Sequence, residues 1–204
     1  VLLTHHHWDH VDGLDDLIGR AGLEIIGAEA DAHRLPPLSS AVQDGETIDV
    51  LGAACHIFDV SGHTLGHIAF HMPSLSAVFT ADSLMALGCG RLFEGTPAQM
   101  HASMEKFNAL PEDTIVYSGH EYTSTNAKFA LTIEPSNAAL ISRCEATEAA
   151  RAADKPTVPS SLKLERATNP FLRAHIPQIA AHLGMQGASP VDVFTEVRKR
   201  RDTF

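Results

Sequence analysis

The sequence predicts an α/β sandwich followed by a helical domain, and three observations carry that prediction. A strand, helix, strand order fills residues 1–28. Short β runs broken by glycine and proline fill residues 46–82. Beyond Thr125 the β signal gives way to helical periodicity. At 204 residues, 44% of them hydrophobic and 20% charged, the chain can bury a substantial core in one larger or two smaller domains.

Residues 1–4 (VLLT) read as a buried strand. Val11, Leu14, Leu17 and Ile18 have the spacing of an apolar helix stripe, with Asp12, Asp15, Asp16 and Arg20 on the other side and Gly22 as the stop. Residues 23–28 (LEIIGA) form a short apolar run, expected as a strand buried on both faces and joined to the first by a right-handed crossover. Residues 31–44, with Pro36, Pro37 and paired serines, predict an irregular connection. Residues 47–51, 54–60, 67–72 and 77–80 predict a second, largely antiparallel sheet. Thr96 and Pro97 cap and open a helix lined by Met100, Met104, Phe107 and Leu110, and residues 114–118 (TIVYS) read as another strand. Helices are expected over residues 126–131, 136–153 and 190–200, the last capped by Ser189, with a capped turn at Ser160 and Ser161. The change of period predicts a boundary near residues 127–131.

Composition narrows the function classes. A net charge of −10 argues against nonspecific nucleic-acid binding. Cys55, Cys89 and Cys144 form no CxxC pair, which fits a reducing cytoplasm better than a disulfide framework. No apolar run approaches the ~18–20 residues that span a bilayer, so no membrane partner is expected. The sequence opens on Val1 in mid-strand without an initiator Met, and an N-terminal piece is expected to be missing.

The chemistry concentrates in residues 4–10, THHHWDH. On an extended segment His5 and His7 point to one side and His6 to the other, while Asp9 and His10 swing onto a second set as the chain enters a helix. Later potential ligands stand at strand ends, two of them beside glycine: His63 in SGHT, Asp82 in TADS and His120 in SGHE. Together they can form two coordination sets. His5, His7 and His63 can hold one ion and Asp9, His10 and His120 the other, with Asp82 bridging through its two oxygens. Imidazole and carboxylate ligands suit Zn, Fe or Mn, and the lack of thiolate argues against a closed structural zinc.

The runs THHHWDH, SGHTLGH, TADSLMALGCGRLFEG, SGHEYT and NPFLR resemble the glyoxalase II family, the hydroxyacylglutathione hydrolases of the metallo-β-lactamase superfamily. The resemblance implies an αββα sandwich over residues 1–127, truncated at its N-terminus, and a helical substrate-binding domain over residues 128–204. It implies two divalent ions, zinc foremost, and hydrolysis of S-2-hydroxyacylglutathione, typically S-lactoylglutathione, by a metal-bridged hydroxide. Asp9 and Asp82 would be the catalytic carboxylates, Asp9 orienting the hydroxide and Asp82 holding the pair of ions. Arg91, Arg198 and Arg201 match family positions for a glutathione carboxylate, Arg198 and Arg201 lying three apart on one helix face. Tyr122 matches a tyrosine that hydrogen-bonds the peptide, and Phe93 stands where some members carry a tyrosine, so a hydroxyl contact is lost there. The intact protein is expected to be a cytoplasmic monomer.

Other readings compete. A glutathione-persulfide dioxygenase with one iron shares the fold, but the complete set Asp9, His10 and His120 and the helical tail favour the hydrolase. A catalytically silent metal-binding protein is the reading from a different class, since without the family's first strands residues 1–4 would expose an edge. His6, His33, His56, His67, His71, His101, His175 and His182 read as structural or surface residues, and Cys89 as structural. Glu94 and Glu121 read as ligand-orienting partners or as surface residues.

Overall fold

The computed structural model of the chain describes residues 1–18 and 22–204. Residues 1–4 make one bridge, Leu2 to Ile26 in parallel, where a strand was expected. The reason lies in their two sets of partners. Leu3 N–H donates to Ile26 O at 2.8 Å, while Thr4 O accepts from Ile68 N–H at 2.9 Å. The segment thus ties two sheets together instead of extending either, and then delivers His5 to the site.

The expected first helix is broken into α1 (Trp8–Val11), a 3-10 turn (Asp12–Leu14) and α2 (Asp15–Ile18). Gly13 sits in the middle, where glycine costs about 1 kcal/mol relative to alanine. Leu14 is buried as the stripe requires, Ile18 is exposed, and Arg20 lies outside the described residues. β1 (Ile26–Ala28) is buried throughout and pairs in parallel with β2 (Ser40–Val42). The expected irregular connection therefore contains a strand. Ser39 and Ser40 draw it in, their amides donating to Ile25 O at 2.8 and 3.1 Å while Ser39 Oγ accepts from Ile25 N–H at 3.1 Å.

The main sheet holds β3 (Thr47–Val50), β4 (Ala53–Asp59), β5 (Ile68–Met72) and β6 (Ala77–Ala81) as an antiparallel meander, close to the expected spans. After it, β7 (Leu84–Met85) and β8 (Gly88–Cys89) form a small buried hairpin that sequence reading missed. α3 (Pro97–Asn108) starts with a full capping box, Thr96 Oγ1 accepting from Gln99 N–H and the Gln99 side chain accepting from Thr96 N–H. It carries the chain back to β9 (Ile115–Ser118), which pairs with β6 in parallel. α4 (Thr123–Ile133) and α5 (Ala138–Ala152) follow. β10 (Ser160–Ser161) then pairs with β9, so the β structure does not end at Thr125. Ser161 also caps α6 (Leu162–Thr168), a helix where only a turn was expected, and α7 (Pro177–His182) was not foreseen. α8 (Pro190–Thr203) is capped by Ser189 as expected and runs past residue 200.

The sheet order β10-β9-β6-β5-β4-β3 carries core on both faces. On one face Ala69, Val78 and Val116 meet Met100, Met104 and Phe107 of α3, Phe129 of α4 and Phe194 of α8. On the other, Ile57, Ile68, Phe70 and Met72 meet Ile26, Ala28 and Val42 of the small sheet. β5 is buried at every residue for this reason, whereas β3 at the sheet edge alternates between exposed and half-buried. The ends of β6 and β9, with the loops after β4 and residue 4, converge at one rim, and the histidines sit there.

Candidate metal centre

Two sets of donor atoms meet at that rim. His7 Nδ1 lies 3.2 Å from His5 Nε2 and 3.0 Å from His63 Nε2. Beside them, His120 Nε2 lies 3.2 Å from both His10 Nε2 and Asp9 Oδ2, with His10 Nε2 3.7 Å from Asp9 Oδ2. Asp82 spans the two sets. Its Oδ2 is 3.5 Å from His63 Nε2 and 3.4 Å from His120 Nε2, and its Oδ1 is 3.4 Å from His10 Nε2. The donor atoms form three compact groups: His5, His7, His63; Asp9, His10, His120; and a third joining His5, His10 and Asp82. The structure thus brings together side chains such as His10 and His120, 110 positions apart in the chain.

The chemistry of this donor set fits a cation. His63 Nδ1 donates to Arg91 O at 2.7 Å, which fixes its proton on Nδ1 and leaves the Nε2 lone pair facing His7. Asp82 Oδ1 is buried without a hydrogen-bond partner among the described residues. Converging lone pairs and an unmet carboxylate oxygen are costly in a protein alone and are resolved by a divalent ion.

Electrostatics agree. Burial, reinforced by His67, His10, His63 and His7, pushes the His5 imidazole far down. Burial likewise lowers His7 and His63, so these rings are neutral donors near pH 7. His10 is raised by the Asp82 carboxylate beside it, 3.4 Å away. Burial alone would raise the Asp82 carboxyl, but the His10 ring beside it, with His120 and His63, outweighs it and holds the carboxyl low.

Side chains outside the motif hold it in place. His6 points away from His5 and His7, as strand alternation requires, and its Nδ1 donates to buried Asp31 Oδ2 at 2.9 Å. Arg34 Nε donates to Asp31 Oδ1 at 2.6 Å, and Glu94 accepts from Arg34 and from Leu65 N–H at 2.8 Å, two residues from His63. Glu121 instead accepts from Thr157 and Arg151. His67, read as structural, is fully buried, stacks on His5 at 4.5 Å and accepts from Asp82 N–H at 3.3 Å. Burial pushes it down to about 3. Its place as the second histidine of SGHTLGH was the available signal.

A cleft of about 280 Å³ opens beside the donors. His63, Asp82, Phe93 and Tyr122 line it and also line the pocket over His7, Asp9 and His120. Arg91, Arg198 and Arg201 stand along the cleft, so the structure gathers the three cations expected for an anionic ligand. They are not equivalent. Arg198 is buried, donating to Cys89 O at 3.0 Å, to Gly90 O at 3.4 Å and to Asp202 Oδ1 at 2.8 Å. Arg91 is largely exposed, 3.7 Å from Asp202 Oδ1. Arg201 is half-buried with its guanidinium near Phe129 and Phe204. Phe93 packs edge-on to His7 and His63 at 5.6 and 5.3 Å, and Tyr122 stacks on His120 at 5.0 Å. Cys89 is buried beneath Arg198, and burial lifts its thiol to about 11, which suits the structural reading. Gly90 has no room for a side chain, since a Cβ there would stand 1.9 Å from Asp82 O. A larger, mostly apolar cavity of about 700 Å³, lined by residues including Val50, Phe70, Phe79 and Tyr117, reaches the site at Thr4, His10 and Ser118.

Comparison with known proteins identifies the architecture. Residues 1–120 match the metallo-beta-lactamase superfamily and residues 121–204 match the hydroxyacylglutathione hydrolase C-terminus. The chain is 63% identical over 204 residues to a hydroxyacylglutathione hydrolase of Jannaschia sp. (strain CCS1) and 64% identical to one of Ruegeria pomeroyi. Each alignment covers all of this chain and 80% of the relative. Among solved structures, the BLEG-1 B3 metallo-beta-lactamase aligns with a TM-score of 0.61 at 20% identity, covering 84% of this chain and 75% of that one. ETHE1 from Myxococcus xanthus aligns at 0.59 and 22% identity, covering 98% and 67%. These two establish the fold, and the sequence relatives establish more: the chain belongs to the hydroxyacylglutathione hydrolase family of the metallo-beta-lactamase superfamily.

Proposed function

We propose that this chain hydrolyses S-2-hydroxyacylglutathione thioesters, S-lactoylglutathione foremost, to glutathione and the 2-hydroxy acid. The observation that carries the reading is the shared wall: His63, Asp82, Phe93 and Tyr122 line both the donor cluster and the cation-flanked cleft. A thioester carbonyl can thus lie over the donors while the peptide carboxylates reach Arg91 and Arg201.

His5, His7 and His63 would hold one divalent ion and Asp9, His10 and His120 a second, with Asp82 reaching both; zinc is the first choice, iron or manganese the alternatives. Such ions, when bound, lower the pKa of water and stabilise negative charge on a carbonyl oxygen. The protein supplies the rest. Asp9 is partly exposed beside Tyr122 and orients the attacking water by accepting its hydrogen bond. The water gives up a proton to solvent as its oxygen bonds to the carbonyl carbon, the C–S bond breaks with its electron pair staying on sulfur, and glutathione leaves as thiolate beside the 2-hydroxy acid, which needs no protein nucleophile. Arg91 and Arg201 hold the peptide carboxylates by charge-assisted hydrogen bonds. The Tyr122 hydroxyl holds the peptide, and Phe93 closes the apolar side over His7 and His63.

We further propose a working division into residues 1–127, carrying the donors, and residues 128–204, covering the cleft; α4 runs across the junction. Among the described residues no helix is long and apolar enough to cross a membrane. The acidic charge and three free, buried cysteines support a cytoplasmic monomer with no nucleic-acid partner. The test is turnover of S-lactoylglutathione by metal-loaded protein, followed as release of free thiol. Thiol release at catalytic rates is expected, and none would contradict the proposal.

A further inference from the structure

The hairpin β7–β8 joins the two halves of the site, with Asp82 just before it and Gly90 and Arg91 just after it. Four backbone groups of its turn are met by side chains from the helical part of the chain. Asn169 Nδ2 donates to Met85 O at 3.1 Å and to Gly88 O at 3.0 Å. Glu165 Oε2 accepts from Leu87 N–H at 2.9 Å and lies 3.1 Å from Asn169 Nδ2, whose two hydrogens are shared among these three oxygens. Asn126 Nδ2 donates to Ala86 O at 3.0 Å. All three side chains are buried.

The clamp is itself anchored. Glu165 Oε1 accepts from Ser160 Oγ at 2.6 Å and from buried Arg143, which also donates to Thr168 Oγ1 at 2.7 Å. Asn169 Oδ1 accepts from Phe171 N–H at 3.0 Å, which gives the NPFLR motif a task. The turn needs holding, because Leu87 sits at φ 57°, a left-handed conformation unfavourable for leucine. Glycine at position 88 admits the clamp, since a Cβ there would stand 2.5 Å from Asn126 Nδ2. Asn126 also reaches the cleft directly, its Oδ1 accepting from Arg201 Nη2 at 3.3 Å.

We propose that Asn126, Glu165 and Asn169 are positioning residues: they fix the hairpin and, through it, the placement of Asp82, Arg91 and Arg201. The kinetic consequence rests on the hydrolase reading above; the structural consequence rests on the contacts alone. A network serving only stability would loosen the whole fold when damaged, whereas a positioning clamp loosens the hairpin and the cleft.

Two near-isosteric variants separate these cases in the full, metal-loaded chain. Asn169→Asp replaces the Nδ2 donor by an acceptor facing Met85 O, Gly88 O and Glu165 Oε2. Asn126→Asp removes the bond to Ala86 O and keeps an acceptor for Arg201. Iodoacetamide labelling of Cys89, read by peptide mass spectrometry, reports the hairpin, and Cys55 in β4 is the internal control for global opening. We expect Cys89 to label about tenfold faster with Cys55 unchanged, the scale of one lost buried hydrogen bond. Glutathione Kd and thioester KM are expected to rise by a similar factor. Cys89 and Cys55 accelerating together, or neither changing with KM within about twofold of wild type, would overturn the proposal. If Asn169→Asp does not fold, Asn126→Asp decides. Wild-type protein without turnover would break the hydrolase reading, while the labelling rates would still decide the clamp.

Discussion

The opening stretch, residues 4–10, and the segment from Asp82 to Arg91 both feed the site, yet they are specified in different ways. In the first, four donors lie within six positions and backbone alternation aims them, His5 and His7 inward and His6 toward Asp31. In the second, the shape comes from Asn126, Glu165, Asn169 and Arg198, which arrive from far along the chain and bond to the hairpin backbone. A ligand motif can be local; the geometry of the loop facing it is not.

The largest effect expected from breaking that comparison is at its junction. Asp82 contacts both donor sets, so Asp82→Ala should lower thioester turnover by more than about 100-fold, beyond the 10–100-fold typical of outer-shell changes. Near-wild-type turnover would remove Asp82 from its bridging place. Next comes the far anchor of the hairpin. Glu165→Ala strands buried Arg143, a lesion of about 3–5 kcal/mol that should lower Tm by roughly 10 °C. A Tm within about 2 °C of wild type would show that Arg143 finds other partners.

Arg201→Ala sharpens the division of labour among the cations. It should raise KM for glutathione thioesters about tenfold with kcat little changed, because a charge-assisted hydrogen bond contributes about 1.5–3 kcal/mol. An unchanged KM would take Arg201 out of substrate binding. The smallest effect is at the ion pair beside the opening stretch. The hydrogen bond from Arg34 holds the Glu94 carboxyl at about 2, below its ordinary 4.5. A depressed carboxyl stabilises the fold above the ordinary value, and that contribution fades as pH falls from 4.5 toward 2. Metal-free wild type should therefore lose more Tm over this interval than metal-free Glu94→Gln, and parallel curves would contradict it.

What was legible in the sequence follows from the same contrast. The proposed donors had local signs: four lie in one short run, His63 and His120 stand beside glycine, and Asp82 follows the end of a strand. The Thr96 cap and the meander were equally local. The strand drawn in by Ser39 and Ser40, β10 and the β7–β8 hairpin could not be read, because each is held by partners distant in sequence, whereas the break at Gly13 had a local sign in the glycine itself. His67 was read only as structural or surface; SGHTLGH marked it, but that its ring stacks on His5 and its Nε2 meets the Asp82 amide depends on residues far away in the chain. Arg198 was expected to face substrate, and its bonds to Cys89 O and Gly90 O show a guanidinium also committed to holding the loop.

The central claim is that the histidines and carboxylates at the rim form one centre for two ions. The most direct measurement titrates metal-free protein with zinc while following both bound metal and S-lactoylglutathione hydrolysis. Two equivalents per chain, with turnover rising until the second is bound, is the predicted result. Saturation of binding and activity at a single equivalent would contradict it.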